Sequence, residues 1–348
     1  MKNKVVIFID IIAPKNELHI DAILNSGLEP AFFVTKFNEH SDNYLKQKGE
    51  QISLQKNFFN RLGQVNNFFR KNKKNIHHAE IHPGGRFSFL YILLAKKYHL
   101  KCICVERGDL LYYHKEGYGF LTRFSMRLCY KYSDVVWYRE PYMKAILEKL
   151  NKKLFFLHNS VKIHPDPGNE QEKDITFLWL NRVIPERKYE WFIEVLQNPA
   201  FEKTNNSLVG IDRNSIYKKE QDYILNNQAE NLTVADYTDV TGLFYKRAKF
   251  FVLPAEVVFA NHSLLEAMSY GVVPLVSDQL GSDLIVENEK NGFIFKHTKK
   301  DFEEAALKAI HLNHEEYSRL SHAAREKIKN QFSEEQYYNR LQQLYALL

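Results

Sequence analysis

Cysteine is scarce in this 348-residue chain, with only Cys102, Cys104 and Cys129. So small and odd a number excludes a disulfide framework and fits a reducing compartment. Cys102 and Cys104 stand two apart on an apolar run, so a strand would turn both thiols to one face. With no further metal ligand evident nearby, they read as small core residues. Long hydrophobic runs are also missing. None approaches the ~18 residues of a membrane span, and the run 87–95 is far too short. The opening run from Val5 is interrupted by Asp10, and no small-x-small cleavage site follows. It reads as a buried first strand rather than a signal peptide. No internal repeat and no Asp-x-Asp occurs. What remains is ordinary globular composition, 45% hydrophobic and 26% charged, which excludes disorder, collagen and coiled coil.

Negative charge is rare in one region. Residues 51–100 hold nine Lys/Arg and a single acid, Glu80. The net charge of +6 hides a split: residues 1–160 carry 26 basic and 14 acidic side chains, a balance of +12, and the remainder carries −6. Such asymmetry points to an anionic partner for the basic half, such as a membrane surface or a phosphorylated ligand. Nucleic acid is not expected, because no recognisable binding module accompanies the charge. Within the basic stretch Phe58, Phe59, Leu62, Val65 and Phe69 recur at helical spacing. Two readings stay open: an interfacial amphipathic helix, or a domain helix with its aromatics packed inward.

The length allows two domains. Short β-rich runs at 5–12, 31–35, 102–105, 135–137 and 154–156 alternate with helical patterns. A second series follows at 175–180, 207–209, 232–234, 250–253 and 273–276. Apolar strands alternating with helices indicate parallel sheets covered by helices, here twice over. The polar, Pro/Gly-containing stretch 164–173 reads as the linker. The expected division is 1–162 with about 333–348, and 163–332.

The most informative stretch runs from Pro254 to Asp278. A strand ends, a loop follows, and a short helix begins around Ser263, which can serve as its N-cap. Gly271 closes that helix. A loop feeding a helix N-terminus at the carboxyl edge of a parallel sheet favours a phosphate-bearing ligand. Glu266, one turn in, is placed to accept two hydroxyl hydrogen bonds from a ribose.

Leu264-Leu265-Glu266-Ala267-Met268, Gly271, Pro274, Ser277 and Asn291-Gly292 stand in register with a known signature. The segment resembles the donor-binding signature of GT-B glycosyltransferases, in particular the retaining family 4 (group 1). The resemblance implies a GT-B fold, α/β, with two Rossmann-like domains whose parallel sheets face a central cleft. It implies sugar transfer from a nucleotide-sugar donor, UDP- or GDP-linked, to a hydroxyl of a bacterial surface glycan or lipid-linked acceptor. Retention of configuration, no metal and no cofactor beyond the nucleotide-sugar substrate are expected with it. The implied location is cytoplasmic, peripheral at the inner face of the plasma membrane. Rival readings are a sugar-nucleotide epimerase on the same fold and an inactive glycan- or nucleotide-binding subunit.

Residue by residue, the resemblance assigns the ribose to Glu266. The family's first Glu, eight positions earlier, is Val258 here, and the nearest carboxylate is Glu256. Asn261 and His262 could read the sugar instead, with the backbone of Ala260, Asn261, His262, Ser263 and Leu264 approaching sugar and phosphates. Arg182, with Arg187 or the adjacent Lys188, matches the pair that clamps the diphosphate, where fixed cations stabilise the charge of the leaving group. Gly210 resembles the strand-end Gly beside the nucleotide. The family's Gly-Gly loop after the first strand is absent. Glu80-Ile81-His82-Pro83-Gly84-Gly85-Arg86 resembles a strand–loop–helix of the family. It gives His82, Gly84, Gly85 and Arg86 as acceptor-binding candidates, the glycines supplying a permissive turn. Glu106 takes the place of a strand-end His and is a candidate to position or deprotonate the acceptor hydroxyl. Asp109 and Glu256 join it as catalytic candidates, and Arg107 and Arg139, which precedes Glu140, as acceptor-binding ones.

Overall fold

The computed structural model describes residues 3–12, 16–36, 48–106, 119–165, 172–212 and 215–348. The chain forms two units, residues 1–158 with 335–348, and residues 159–334.

The first unit begins β1 (Lys4–Ile9), α1 (Glu17–Asn25), β2 (Glu29–Val34), β3 (Glu50–Ser53), α2 (Phe58–Asn72) and β4 (Ile76–Ile81). It continues α3 (Ser88–Lys97), β5 (Lys101–Glu106), α4 (Phe120–Tyr132), β6 (Val135–Tyr138), α5 (Lys144–Leu147) and β7 (Leu154–Phe156). The second unit begins β8 (Ile175–Leu180), α6 (Tyr189–Leu196), β9 (Asn206–Ile211), α7 (Lys218–Asn226), β10 (Leu232–Asp236) and α8 (Gly242–Arg247). It continues β11 (Ala248–Leu253), α9 (His262–Ser269), β12 (Val273–Ser277), α10 (Ser282–Ile285), β13 (Phe293–Phe295), α11 (Lys299–Ile310) and α12 (His314–Gln331). The last helix, α13 (Glu334–Tyr345), belongs almost wholly to the first unit.

Both sheets are parallel and share one winding. The first runs β3-β2-β1-β4-β5-β6-β7 and the second β10-β9-β8-β11-β12-β13. In each, the order reverses direction beside the first strand, between β1 and β4 and between β8 and β11. Such a switch point is where open α/β sheets accept ligands.

The strands are apolar on both faces because both faces are covered. In β1, Val6 and Phe8 enter one core layer, with Val65 and Phe69 of α2 and Tyr91 and Ile92 of α3. Val5, Ile7 and Ile9 enter the opposite layer, with Ile20 and Ile23 of α1 and Leu341 and Leu344 of α13. Cys102 and Cys104 do share a face, in the first of these layers. Burial pushes the Cys102 thiol up to about 12 and that of Cys104 well above its ordinary value, so neither is a nucleophile at neutral pH. Helix α2 is a layer helix: Val65 and Phe69 are fully buried, Phe58 packs on Phe87, and Phe59 stays 77% exposed.

The strand series read from the sequence lacks β3, β4 and β13. Central β4 was hidden by His77, His78 and Glu80, which break its apolar signature. The second unit begins at Asn159, ahead of the linker expected at 164–173. Val161 N–H donates to Phe332 O at 2.9 Å, and Ile163 N–H donates to the Glu334 carboxylate at 2.7 Å. Residues 159–163 therefore belong with the end of α12.

Candidate donor site at the switch point of the second unit

Strands β8 and β11 are neighbours, and the loops leaving them are stitched together. Glu256 N–H donates to Glu186 O at 3.1 Å, and the Arg187 guanidinium donates to Val257 O at 3.5 Å. Lys188 Nζ lies 3.4 Å from Glu256 Oε1, and Asn261 Nδ2 donates to Asn181 Oδ1 at 3.3 Å. Lys188 and Ala260 both hold the left-handed conformation, at φ 47° each. Two non-glycine residues strained in facing loops are the kind of local cost that concentrates at functional sites.

Helix α9 starts at His262, one residue before the start expected around Ser263. Its N-cap is Asn261, not Ser263: the Asn261 carboxamide oxygen accepts from Leu264 N–H at 3.0 Å. The Leu264 side chain is fully buried, and its N–H bonds the cap. His262 and Ser263 occupy the first turn, where the helix dipole adds partial positive charge. At the other end, Val272 N–H donates to Ala267 O at 3.1 Å and Gly271 N–H to Met268 O at 2.9 Å. With Gly271 at φ 70°, this is a Schellman stop.

Glu266 is held from α8. Tyr245 OH donates to Glu266 Oε2 at 3.1 Å and Thr241 Oγ1 donates to the same oxygen at 3.4 Å. Burial raises the Glu266 carboxyl above its ordinary value, against these two bonds, which lower it. Neither Tyr245 nor Thr241 was singled out from the sequence, because each acts through Glu266. His297, just past β13, was also passed over. Its imidazole is lowered by burial and then by the Lys188 charge, while Glu256 and Asp278 pull the other way. It is therefore electrostatically coupled to the Lys188–Glu256 pair, and it packs on Trp191 at 4.9 Å.

Arg182 is exposed on the β8 loop. Glu256 is ion-paired and partly exposed, whereas Val258, in the position of the family's acid, is fully buried. No carboxylate stands at that position, and the nearest one in sequence is Glu256. Gly210 has φ 145°, and a Cβ there would meet Asn181 O at 1.9 Å. Gly210→Ala should therefore destabilise the second unit by about 3 kcal/mol or more, measured by urea unfolding.

The first unit gathers a separate set of residues. His82, Gly85, Ser88, Asp10, Arg61 and Tyr91 line a small cleft of about 50 Å³ at the carboxyl ends of β1 and β4. Gly84 and Gly85 do not supply the permissive turn expected of them, since neither has positive φ. A Cβ on Gly84 would meet Asp10 Oδ2 at 2.5 Å, a contact that the exposed Asp10 side chain can relieve by swinging away. Arg86 is exposed and sits over the Phe87 ring at 4.8 Å. Glu106 is fully buried at the end of β5, and Arg139 and Glu140 follow β6. Burial pushes the Glu140 carboxyl up to about 7; Tyr142 opposes this, the Glu106 charge adds to it and Arg139 opposes it. Arg107 and Asp109 lie outside the described residues.

Two doubly wound domains with a phosphate-type helix terminus at one switch point define the GT-B class. Residues 160–327 match the family model of glycosyl transferases group 1. The chain thus carries a group 1 glycosyltransferase domain over those residues. No curated protein sequence matches it. Among solved structures it is similar to sucrose-phosphate synthase from Thermosynechococcus elongatus, at 15% identity and TM-score 0.77, covering 99% of this chain and 98% of that one. It is similar to Anabaena HepE in complex with UDP-glucose, at 12% identity and TM-score 0.78, covering 99% and 100%. It is also similar to the lipopolysaccharide outer core galactosyltransferase WaaB, at 17% identity and TM-score 0.72, covering 99% and 100%.

Proposed function

We propose that the chain moves a hexosyl unit from a UDP- or GDP-sugar to a hydroxyl of a surface-glycan or lipid-linked acceptor, with retention. The bond between the anomeric carbon and the diphosphate breaks, and the nucleoside diphosphate leaves. A new bond forms to the acceptor oxygen, whose proton passes to a base. The observation that carries this reading is Glu266, anchored by Tyr245 and Thr241 one turn into a capped helix at the switch point. Its carboxylate is assigned to the ribose hydroxyls. Arg182, Arg187, Lys188 and the N-terminus of α9 are assigned the diphosphate charge, so no metal or further cofactor is invoked. The sugar is assigned to Glu256, Asn261 and His262. The acceptor is assigned to the first unit, around His82, Gly84, Arg86 and Arg139, with Glu106 as the candidate base and the inner membrane face as the place of work. The complex of HepE with UDP-glucose supports the choice of donor class.

A thermal-shift panel of UDP- and GDP-sugars tests the reading. A matching donor present at about 100 Kd contributes about 2.7 kcal/mol and should raise Tm by several degrees. If no nucleotide sugar or free nucleotide moved Tm, the donor assignment would fall. Turnover that needs no acceptor would point to an epimerase instead.

A further inference from the structure

One face of the first unit's sheet is covered by α2, α3 and α4. All three feed the same core layer, through Val65 and Phe69, Ile92 and Ala95, and Met126 and Cys129. Their ranges contain no Asp or Glu at all. They contain Arg61, Arg70 and Lys71 on α2, Lys96 and Lys97 on α3, and Arg123, Arg127 and Lys131 on α4. Of the acids close to α4 in sequence, Asp134 pairs with Lys96 at 3.5 Å, and Glu116 lies outside the described residues.

The same face shows large apolar groups to solvent. On α4, Phe120, Leu121 and Phe124 are 72%, 61% and 53% exposed, and the Phe120 and Phe124 rings stack at 6.2 Å. Leu93 on α3 and Phe59 on α2 are exposed as well. Single exposed apolar side chains need no explanation, but several on three adjacent helices without one carboxylate do. Aromatics reaching outward from helices that carry cations and no acid match the chemistry of an anionic bilayer surface. The rings enter the headgroup boundary and the cations meet lipid phosphates.

We propose that this face, centred on the amino-terminal half of α4, docks the enzyme onto an anionic lipid bilayer. The anchor is α4 rather than α2, whose periodic aromatics are partly spent on the core. The proposal builds on the reading of a membrane-side acceptor, but the donor assignments lie in the other unit and do not depend on it.

The test is co-sedimentation of the full chain with vesicles of pure phosphatidylcholine and with vesicles containing about one third phosphatidylglycerol. Binding to the anionic vesicles only, weakened by salt, is expected. Phe120→Ser with Phe124→Ser should weaken it by about tenfold or more. Arg127→Gln with Lys131→Gln should weaken it by about 25-fold, each cation near the surface counting for about fivefold. Both double variants alter exposed side chains and should keep the wild-type Tm and nucleotide affinity. No recruitment to anionic vesicles, or recruitment that either variant leaves unchanged, overturns the proposal. Retention on a soluble polyanion such as heparin with no vesicle binding overturns it too, in favour of a macromolecular partner. Loss of nucleotide binding in the wild-type chain would count against the donor reading alone.

Discussion

Glu266→Ala is expected to weaken nucleotide and nucleotide-sugar affinity by about a hundredfold or more in calorimetry. Two hydroxyl hydrogen bonds to a carboxylate are lost together, at about 1.5–3 kcal/mol each. The variant also strands the buried Tyr245 hydroxyl, which donates to Glu266. Some loss of fold stability, about 1–3 kcal/mol, should accompany it. Glu266→Gln separates the two effects. A carboxamide oxygen still accepts from Tyr245, so Tm should stay near wild type, while affinity falls about tenfold with the charge gone. Affinity should also depend on pH in a definite direction. Burial raises this carboxyl, and the ionised form is the one that accepts two hydroxyls. Binding should therefore weaken on acidification from a higher pH than an ordinary carboxylate would show, and the Gln variant should lack that limb. For folding the sign reverses: a raised carboxyl favours the folded state at low pH and loses that contribution as pH rises through the raised value. Unchanged affinity in Glu266→Ala would place the nucleotide elsewhere.

The second unit was more legible than the first because its signature is mostly a folding instruction. Leu264, Leu265, Ala267 and Met268 are fully buried, Gly271 ends the helix at positive φ, and Ser277 Oγ donates to Ala255 O. The Asn291 side chain accepts from Glu287 N–H and donates to Ile285 O, and a Cβ on Gly292 would meet Pro274 O at 2.7 Å. Residues constrained by packing leave a pattern in sequence, and Glu266 is legible because it is embedded in that pattern. Thr241 and Tyr245 lie more than twenty residues upstream and reach Glu266 only through the fold. The cap shows the limit of local reading. Ser263 and Asn261 are both good N-cap types, and the Leu264 N–H bond decides for Asn261. In the first unit, β4 escaped because its register demands buried polar groups, which no apolar periodicity can announce.

Those polar groups carry the other large expected effect. Glu80, on central β4, is fully buried and accepts from three sides. His19 Nε2 of α1 is 2.7 Å from Oε2, and His78 Nε2 is 3.2 Å from Oε1. Tyr345 OH of α13 donates to Oε1 at 2.7 Å. Tyr337, also on α13, bonds the other ring nitrogen of His19 at 3.0 Å. The C-terminal helix is thus fastened to the central sheet by a carboxylate network in addition to Leu341 and Leu344. Burial alone would raise the Glu80 carboxyl, but His19 and then His78 outweigh it and hold it well below the usual range. Glu80→Ala should destabilise the first unit by about 3–5 kcal/mol, because His19, His78 and Tyr345 are left buried without their shared acceptor. Glu80→Gln, which keeps the shape, should cost less. The probe is Trp137, which packs on His19 at 5.1 Å and is the only tryptophan of the first unit. Replacing Trp179 and Trp191 with Phe makes its fluorescence report that unit alone during urea unfolding. The pH dependence follows from the depressed carboxyl. Its contribution is complete above the ordinary value of about 4.3 and is lost as pH falls through the lower folded value. The stability gap between wild type and Glu80→Gln should therefore hold steady down to about pH 5, begin to shrink below about 4.3, and go on shrinking as pH falls toward the lower folded value. A gap that did not shrink at all between pH 5 and pH 3 would mean that the carboxylate charge is not what the network uses, and an alanine variant within about 1 kcal/mol of wild type would mean that apolar packing alone holds α13 to the sheet.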